Sequence, residues 1–177
     1  MSVSGGDPDL VVRRVSPCSI RGVIELGALR FPCALGRGGS AARKREGDGA
    51  TPRGRFSIER VFYRADRCNR PKTGLPVKQI NFDDGWCDAA GDRNYNRQVK
   101  LPYAARSEVL WREDVLYDIV VVLGYNLRPR SQGRGSAIFM HVARQDYSPT
   151  EGCIALRAGH LIRVLERLRP GAHVRVT

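Results

Sequence analysis

The sequence predicts a mostly β protein, a sandwich or barrel, on three observations. Many short segments alternate apolar with polar residues or are β-branched, turn residues separate them at close intervals, and one stretch alone has helical periodicity. Leu10 to Val15, Val23 to Leu26 and Leu29 to Leu35, with Gly22, Gly27 and Gly36 between them, read as a strand meander. Arg37 to Pro52 is a loop rich in Gly, Arg and Lys, and Phe56 to Tyr63 alternates again as a strand. Residues 64–103 hold turn chemistry instead of periodicity: Asn69-Arg-Pro, Asp83-Asp84-Gly85, Gly91-Asp92 and Asn94-Tyr95-Asn96. A segment that long without regular structure is read as a substrate-facing insertion or lid. Ser107 to Glu113 is expected to form a short helix. Leu116 to Tyr125 (LYDIVVVLGY) is the strongest strand signal, buried on both faces, and Ala137 to Ala143 is the second. Gly159 to Leu168 places Leu161, Ile162, Leu165 and Leu168 on one helical face, with Arg163, Glu166 and Arg167 opposite. Pro170-Gly171 ends that helix, and Ala172 to Val176 returns as a last strand. Residues 1–9 read as a loose tail and 10–177 as one domain.

The chain of 177 residues carries a net charge of +12, is 42% hydrophobic and 27% charged, and has 19 Gly and 10 Pro. That composition excludes collagen, coiled coil and wholesale disorder, and the length suffices for a real core. The longest strongly apolar run, Ile119 to Leu123, is far short of the roughly 20 residues that span a bilayer, so no integral membrane contact is expected. Lys44, Lys72, Lys78 and Lys100 are the four lysines among 30 basic residues; the rest are arginines. Arginine favours carboxylate and phosphate, which admits nucleic acid, anionic surfaces and acidic polymers as partners. The arginines are scattered with no run longer than two, so charge does not choose among them. The first residues lack both the basic and the apolar segment of a secretory signal, which keeps the cytoplasm as one expected location.

Five cysteines, at 18, 33, 68, 87 and 153, form no C-x-x-C pair, and three histidines lie at 141, 160 and 173. No zinc-site spacing results, so a structural metal is not expected. His160 and His173 are expected to be structural or surface residues. The informative stretch is Ser136 to Leu156, SAIFMHVARQDYSPTEGCIAL. An apolar strand ends in His141, a polar loop follows, and Thr150-Glu151-Gly152-Cys153 precedes Ile154-Ala155-Leu156. A thiol is a nucleophile only as thiolate, and an imidazole within reach can take its proton and later return it to a leaving amine. Glycine before the Cys permits a sharp turn and frees backbone N–H groups for a developing oxyanion. The competing reading, a satisfied core His and an inert buried Cys, stays open on spacing alone.

This segment resembles the signature of the L,D-transpeptidase (YkuD-like) catalytic domain: a strand ending in His, a variable loop, then Ser/Thr-x-Gly-Cys and an apolar residue. His141, Thr150, Gly152, Cys153 and Ile154 are the matches. Gly49-Ala50-Thr51-Pro52-Arg53-Gly54-Arg55-Phe56 resembles the family's T-P-x-G-x-F segment, and the order of elements agrees over residues 10–177. The resemblance implies a mostly β fold and a ping-pong acyl transfer without metal or organic cofactor. Cys153 would be the nucleophile and His141 its base, with the ring's tautomer fixed by a backbone carbonyl. Backbone N–H groups at Gly152 and Cys153 would form the oxyanion hole, and Thr150 would hydrogen-bond within the turn. The partners would be donor and acceptor stem peptides of peptidoglycan, and the location the periplasm or cell envelope.

Glu151 and Ala155 depart from the family's S-H-G-C-x-R, whose His and Arg help to hold the donor. That departure resembles a divergent proteobacterial branch, which includes a lipoprotein-releasing hydrolase and enzymes forming 1,3 cross-links with L-Ala as acyl donor. Besides Glu151, candidate substrate contacts are Arg144, Arg134, Arg157, Arg53 and Arg55, each with the ordinary alternative of a solvated surface arginine. Tyr95, Trp86 and Trp111 are candidates for lining a stem-peptide groove, or anchors for their own loops. For Cys18 with Cys33 and Cys68 with Cys87 two readings stand equally: disulfides in an oxidising envelope, and free buried thiols. Three activities compete: a cross-linking transpeptidase, an amidase that passes the acyl group to water, and a basic nucleic-acid-binding β module, which explains the charge but neither motif.

Overall fold

Period-two alternation turns eight strands into one closed sheet. The computed structural model describes residues 9–177, so the tail expected over residues 1–9 lies, save Asp9, outside the described residues. The meander appears as β1 (Leu10–Arg14), β2 (Arg21–Leu26) and β3 (Leu29–Ala34), antiparallel neighbours as expected. The loop that follows holds two short strands, β4 (Ser40–Ala41) and β5 (Thr51–Pro52). Next come β6 (Gly54–Tyr63), β7 (Val77–Gln79), β8 (Asp84–Cys87), β9 (Arg97–Lys100), β10 (Ser107–Val109), β11 (Ile119–Leu123), β12 (Phe139–Val142), β13 (Ile154–Leu156), helix α1 (Ala158–Leu165) and β14 (His173–Val176). The main sheet runs β11-β12-β13-β3-β2-β1-β14-β6-β7, and β6 closes it by pairing with β14 through residues 54–57 and with β11 through residues 58–63. The result is a barrel-like, mostly β fold.

β11 explains how this sheet carries two cores. Ile119, Val121 and Leu123 face one side, with Met140, Val142, Ile154 and Leu156. Val120 and Val122 face the other, with Phe139, Trp86, Tyr117 and Cys153. Full burial of each such side chain contributes about 1.5–3 kcal/mol before entropy is charged against it. Helix α1 packs Leu161, Val164 and Leu165 into the first core. Ile162, expected on its buried face, is exposed, because residues 161, 164, 165 and 168 share a stripe from which 162 lies about 100° away.

The segment 64–103 is not featureless. Its β8 and β9, with β10, form a separate three-stranded sheet in the order β10-β8-β9 that covers the outer core with Trp86 and Leu110. The short helix expected over Ser107 to Glu113 is instead strand β10: Ser107, Glu108 and Val109 pair with Cys87, Trp86 and Gly85, and the Leu110 N–H donates to Asp84 O at 3.0 Å. Pairing with a distant strand overrides a local helical preference with too few residues to hold itself.

Asn96 fastens this segment to the sheet. Its Oδ1 accepts from the Trp86 indole at 2.9 Å and from the Ala137 N–H at 3.0 Å, while Nδ2 donates to the carbonyls of Tyr125 (3.2 Å) and Asn126 (2.8 Å). It is 1% exposed, with a φ of 55°, a left-handed conformation that Asn tolerates better than most residues. Asn96→Ala strands all four partners and is expected to lower unfolding free energy by about 2–4 kcal/mol, read from urea unfolding.

Candidate active site

The T-P-x-G-x-F segment braces the Cys turn. Thr51 Oγ1 accepts from the Gly36 N–H at 2.8 Å, and Gly36 bridges in parallel to Thr150. The Thr150 N–H donates to Leu35 O at 2.9 Å, and the Arg37 N–H to Thr150 O at 2.7 Å. Within the turn the Thr150 hydroxyl donates to Cys153 O at 2.6 Å and accepts from the Gly152 N–H at 3.1 Å. Gly152 has a φ of 132°, and a Cβ there would stand 2.8 Å from Ala50 O, so only glycine fits this bend. With the Gly152 N–H engaged by Thr150, the oxyanion donor left at the turn is the Cys153 N–H, which bonds to no acceptor among the described residues.

Alternation then puts the two candidate groups on one face. β12 and β13 pair in parallel with Met140 opposite Ile154 and His141 opposite Ala155. Met140 and Ile154 point into the inner core, so Phe139, His141, Cys153 and Ala155 point outward. His141 and Cys153 line the same cavity of about 610 Å³, between the Cys turn and the wall formed by β10 and residues 112–117. His141 Nδ1 lies 2.9 Å from Val142 O, so Nδ1 carries the proton and donates it, leaving Nε2 as the base. The Cys153 thiol donates to Ala137 O at 3.2 Å and accepts from the Phe139 N–H at 3.3 Å.

Burial governs both titrations. It pushes the Cys153 thiol up to about 12, with the Glu108 charge adding to the effect and the Phe139 N–H and Lys44 opposing it. It pulls the His141 imidazole down to about 4. At pH 7 the resting groups are therefore a neutral thiol, hydrogen-bonded to Ala137 O and not to the ring, and a neutral imidazole lining the same cavity. Such a pair can transfer a proton as the sulfur attacks, with no ion pair formed beforehand.

The other candidates divide. Glu151 and Arg144 line the cavity, Glu151 at its rim in an exposed ion pair with Arg37 at 2.7 Å. Arg134, Arg157 and Arg53 are exposed outside it: Arg157 lies over the Tyr147 ring, and Arg55 pairs with Asp9 at 2.9 Å. The expectation that Tyr95 and Trp86 line a groove is corrected, since both are buried as anchors. The Tyr95 hydroxyl donates to Glu46 and accepts from the Gly135 N–H, and the Trp86 indole donates to Asn96. Trp111 stacks against Arg64, 3.6 Å from its guanidinium. Of the two readings for the cysteines, the structure has the free thiols, at all five positions. His160 stacks on Phe31, and His173 belongs to β14.

Cavity residues that sequence reasoning missed are Lys44, Glu108, Arg112 and Tyr117. Lys44 is 4% exposed, with its ammonium 2.6 Å from Asp48 and 3.4 Å from where a Gly152 Cβ would stand. The Tyr117 hydroxyl donates to Glu108, its ring meets that of His141 edge-on at 5.3 Å, and the Arg112 guanidinium lies 5.1 Å from its centroid. Among the described residues no group of His, Cys, Asp and Glu could hold a metal ion, and no helix is long and apolar enough to cross a membrane.

A strand-borne His and a Gly-Cys turn on one face, braced by T-P-x-G-x-F, agree with the match of residues 23–176 to the L,D-transpeptidase catalytic domain (YkuD). The chain belongs to the L,D-transpeptidase catalytic domain family. This is a family of acyltransferases of peptidoglycan and, in general, of the cell envelope. Among solved structures, L,D-transpeptidase 1 of Mycobacterium tuberculosis matches at 14% identity and a TM-score of 0.37, over 95% of this chain and 61% of that one. The chain thus spans about 61% of that protein's length. No curated protein matches it significantly.

Proposed function

We propose that this L,D-transpeptidase-family chain forms peptidoglycan cross-links by acyl transfer through Cys153 in the cell envelope. The observation that carries the reading is the shared cavity of Cys153 and His141, with the imidazole's Nδ1–H committed to Val142 O. Cys153 attacks the carbonyl of an amide joining an L- to a D-centre in a donor stem as its proton passes to His141 Nε2. The oxyanion receives the Cys153 N–H, with the buried Lys44 ammonium close by the same turn. His141 then protonates the departing amine, and the side-chain amine of meso-diaminopimelate on a second stem resolves the thioester.

Ala155 stands where the family pattern has Arg, so the cavity floor offers the donor a methyl group in place of a guanidinium. This supports the 1,3 type of linkage, with L-Ala as acyl donor. Arg144, which has no ion-pair partner among the described residues, would then meet a stem carboxylate from the rim.

Mass spectrometry of products from defined tripeptide and tetrapeptide muropeptides tests this reading. The expected outcome is a dimer joined from L-Ala to diaminopimelate. A dimer between two diaminopimelates would overturn the donor assignment. Trimmed monomers alone would overturn transfer in favour of hydrolysis.

A further inference from the structure

The charges lining the cavity are mostly neutralised within the chain. Lys44 is paired with Asp48, Arg106 with Asp88, Arg112 with Asp114 and Glu151 with Arg37. Two cavity carboxylates make no ion pair among the described residues, Glu46 and Glu108, although the Arg112 guanidinium, itself paired with Asp114, acts on Glu108 from a distance. Glu46 is held by two hydroxyls, those of Tyr95 and Ser136. Glu108 accepts through Oε1 from Tyr117 alone, and its Oε2 makes no hydrogen bond with any described residue, yet is not sealed from the cavity.

The place of Glu108 is specific. It sits on β10, on the wall facing the Cys turn, and its charge acts on the Cys153 thiol. The tyrosine that donates to it has its ring edge-on to His141, so the phenol stands between carboxylate and imidazole. A carboxylate with no ion pair and one unbonded oxygen in such a place can take a cation. Under the transpeptidase reading, the second substrate is a cation, an alkylammonium that must shed a proton before it can attack a thioester.

We propose that Glu108 is the acceptor site: its free carboxylate oxygen binds the incoming ammonium, takes one of its protons and leaves the neutral amine aimed at the Cys153 thioester. The inference rests on the transfer reading above. The balance is simple. The ammonium and the Glu108 carboxylate become amine and carboxylic acid. The amine's lone pair forms the new C–N bond while the C–S bond breaks. The second amine proton passes through His141 to the departing sulfur, restoring the thiol, and Glu108 returns its own proton to solvent. Burial already holds the Glu108 carboxyl above its ordinary value, which narrows the gap to an ammonium and makes it a better base than an exposed glutamate. Water needs no such deprotonation before it enters, so Glu108 favours transfer over hydrolysis.

Glu108→Gln tests this, because the amide oxygen still accepts from Tyr117 and the volume is kept. Intact-protein mass reads the rate of thioester formation from a donor muropeptide, and product analysis reads dimers against trimmed monomers. The expected result is thioester formation within about threefold of wild type, with dimer yield down about 100-fold and trimmed monomer up. Hydroxylamine, uncharged at neutral pH, should resolve the thioester of variant and wild type at equal rates. Unchanged dimer yield, or equal loss of thioester formation and transfer, would overturn the proposal, as would a matching defect towards hydroxylamine. Failure of the wild type to form a thioester at all would defeat the transfer reading itself, before the variant is compared.

Discussion

Cys153→Ala is expected to abolish turnover while the protein still folds. The expected loss is at least about 10⁴-fold in kcat/KM, since without the sulfur no thioester exists and the oxyanion donors act on a bound amide alone. The structural cost is small. The sulfur's contacts are one weak donation to Ala137 O and one acceptance from the Phe139 N–H, so about 1–2 kcal/mol is lost. Cys153→Ser keeps the shape and fails equally, because a hydroxyl is a weaker nucleophile than a thiol already pushed up to about 12. The assay is dimer formation from muropeptides, with circular dichroism to show that both variants remain folded. Residual activity above about 1% in Cys153→Ala would place the nucleophile elsewhere.

The second large effect belongs to His141. His141→Gln is expected to lower kcat/KM by about 10²–10⁴-fold at pH 7, the usual worth of a positioned base. Its pH dependence separates a base from a packing residue. With the imidazole pulled down to about 4, wild type stays competent at mildly acid pH and loses rate only as pH falls through 4. The variant lacks that limb, and its residual rate climbs with pH as hydroxide generates thiolate. Stability follows the same group. The unfolded His titrates near 6.5, so below that pH the unfolded state binds a proton that the folded state refuses. That contribution, on the order of 3 kcal/mol, is intact above pH 6.5 and is lost as pH falls to about 4. Thermal unfolding from pH 7 to 4 should show a shallower decline in His141→Gln than in wild type.

What could be read from the sequence was what local chemistry encodes. His141 and Cys153 were legible together through the resemblance of their segment to a known motif, since spacing alone left the pair open; the parallel register of β12 and β13 is what sets them on one face. The T-P-x-G-x-F segment was legible as a motif, but its task was not: Thr51 acts through Gly36 and Thr150, residues joined to it by pairing alone. The opposite cavity wall had no local signature. Glu108 and Tyr117 come to the site because β10 pairs with β8 across an intervening loop, and the same pairing turned the expected helix over Ser107 to Glu113 into a strand. Lys44 hides in a Gly-rich loop among charges that look solvated, yet it is buried against Asp48. Tyr95 and Trp86 drew attention as aromatics among turns, and Asn96 explains them better: side chains that anchor a long segment are as apolar as those that greet a ligand.

The most direct measurement is intact-protein mass spectrometry after brief mixing with a disaccharide-tetrapeptide donor, followed by peptide mapping. An added mass equal to the donor's acyl portion, carried by the peptide containing Cys153 and discharged by hydroxylamine, is the predicted result. Dimer formation without any such adduct, or an adduct on one of the other four cysteines, would contradict it.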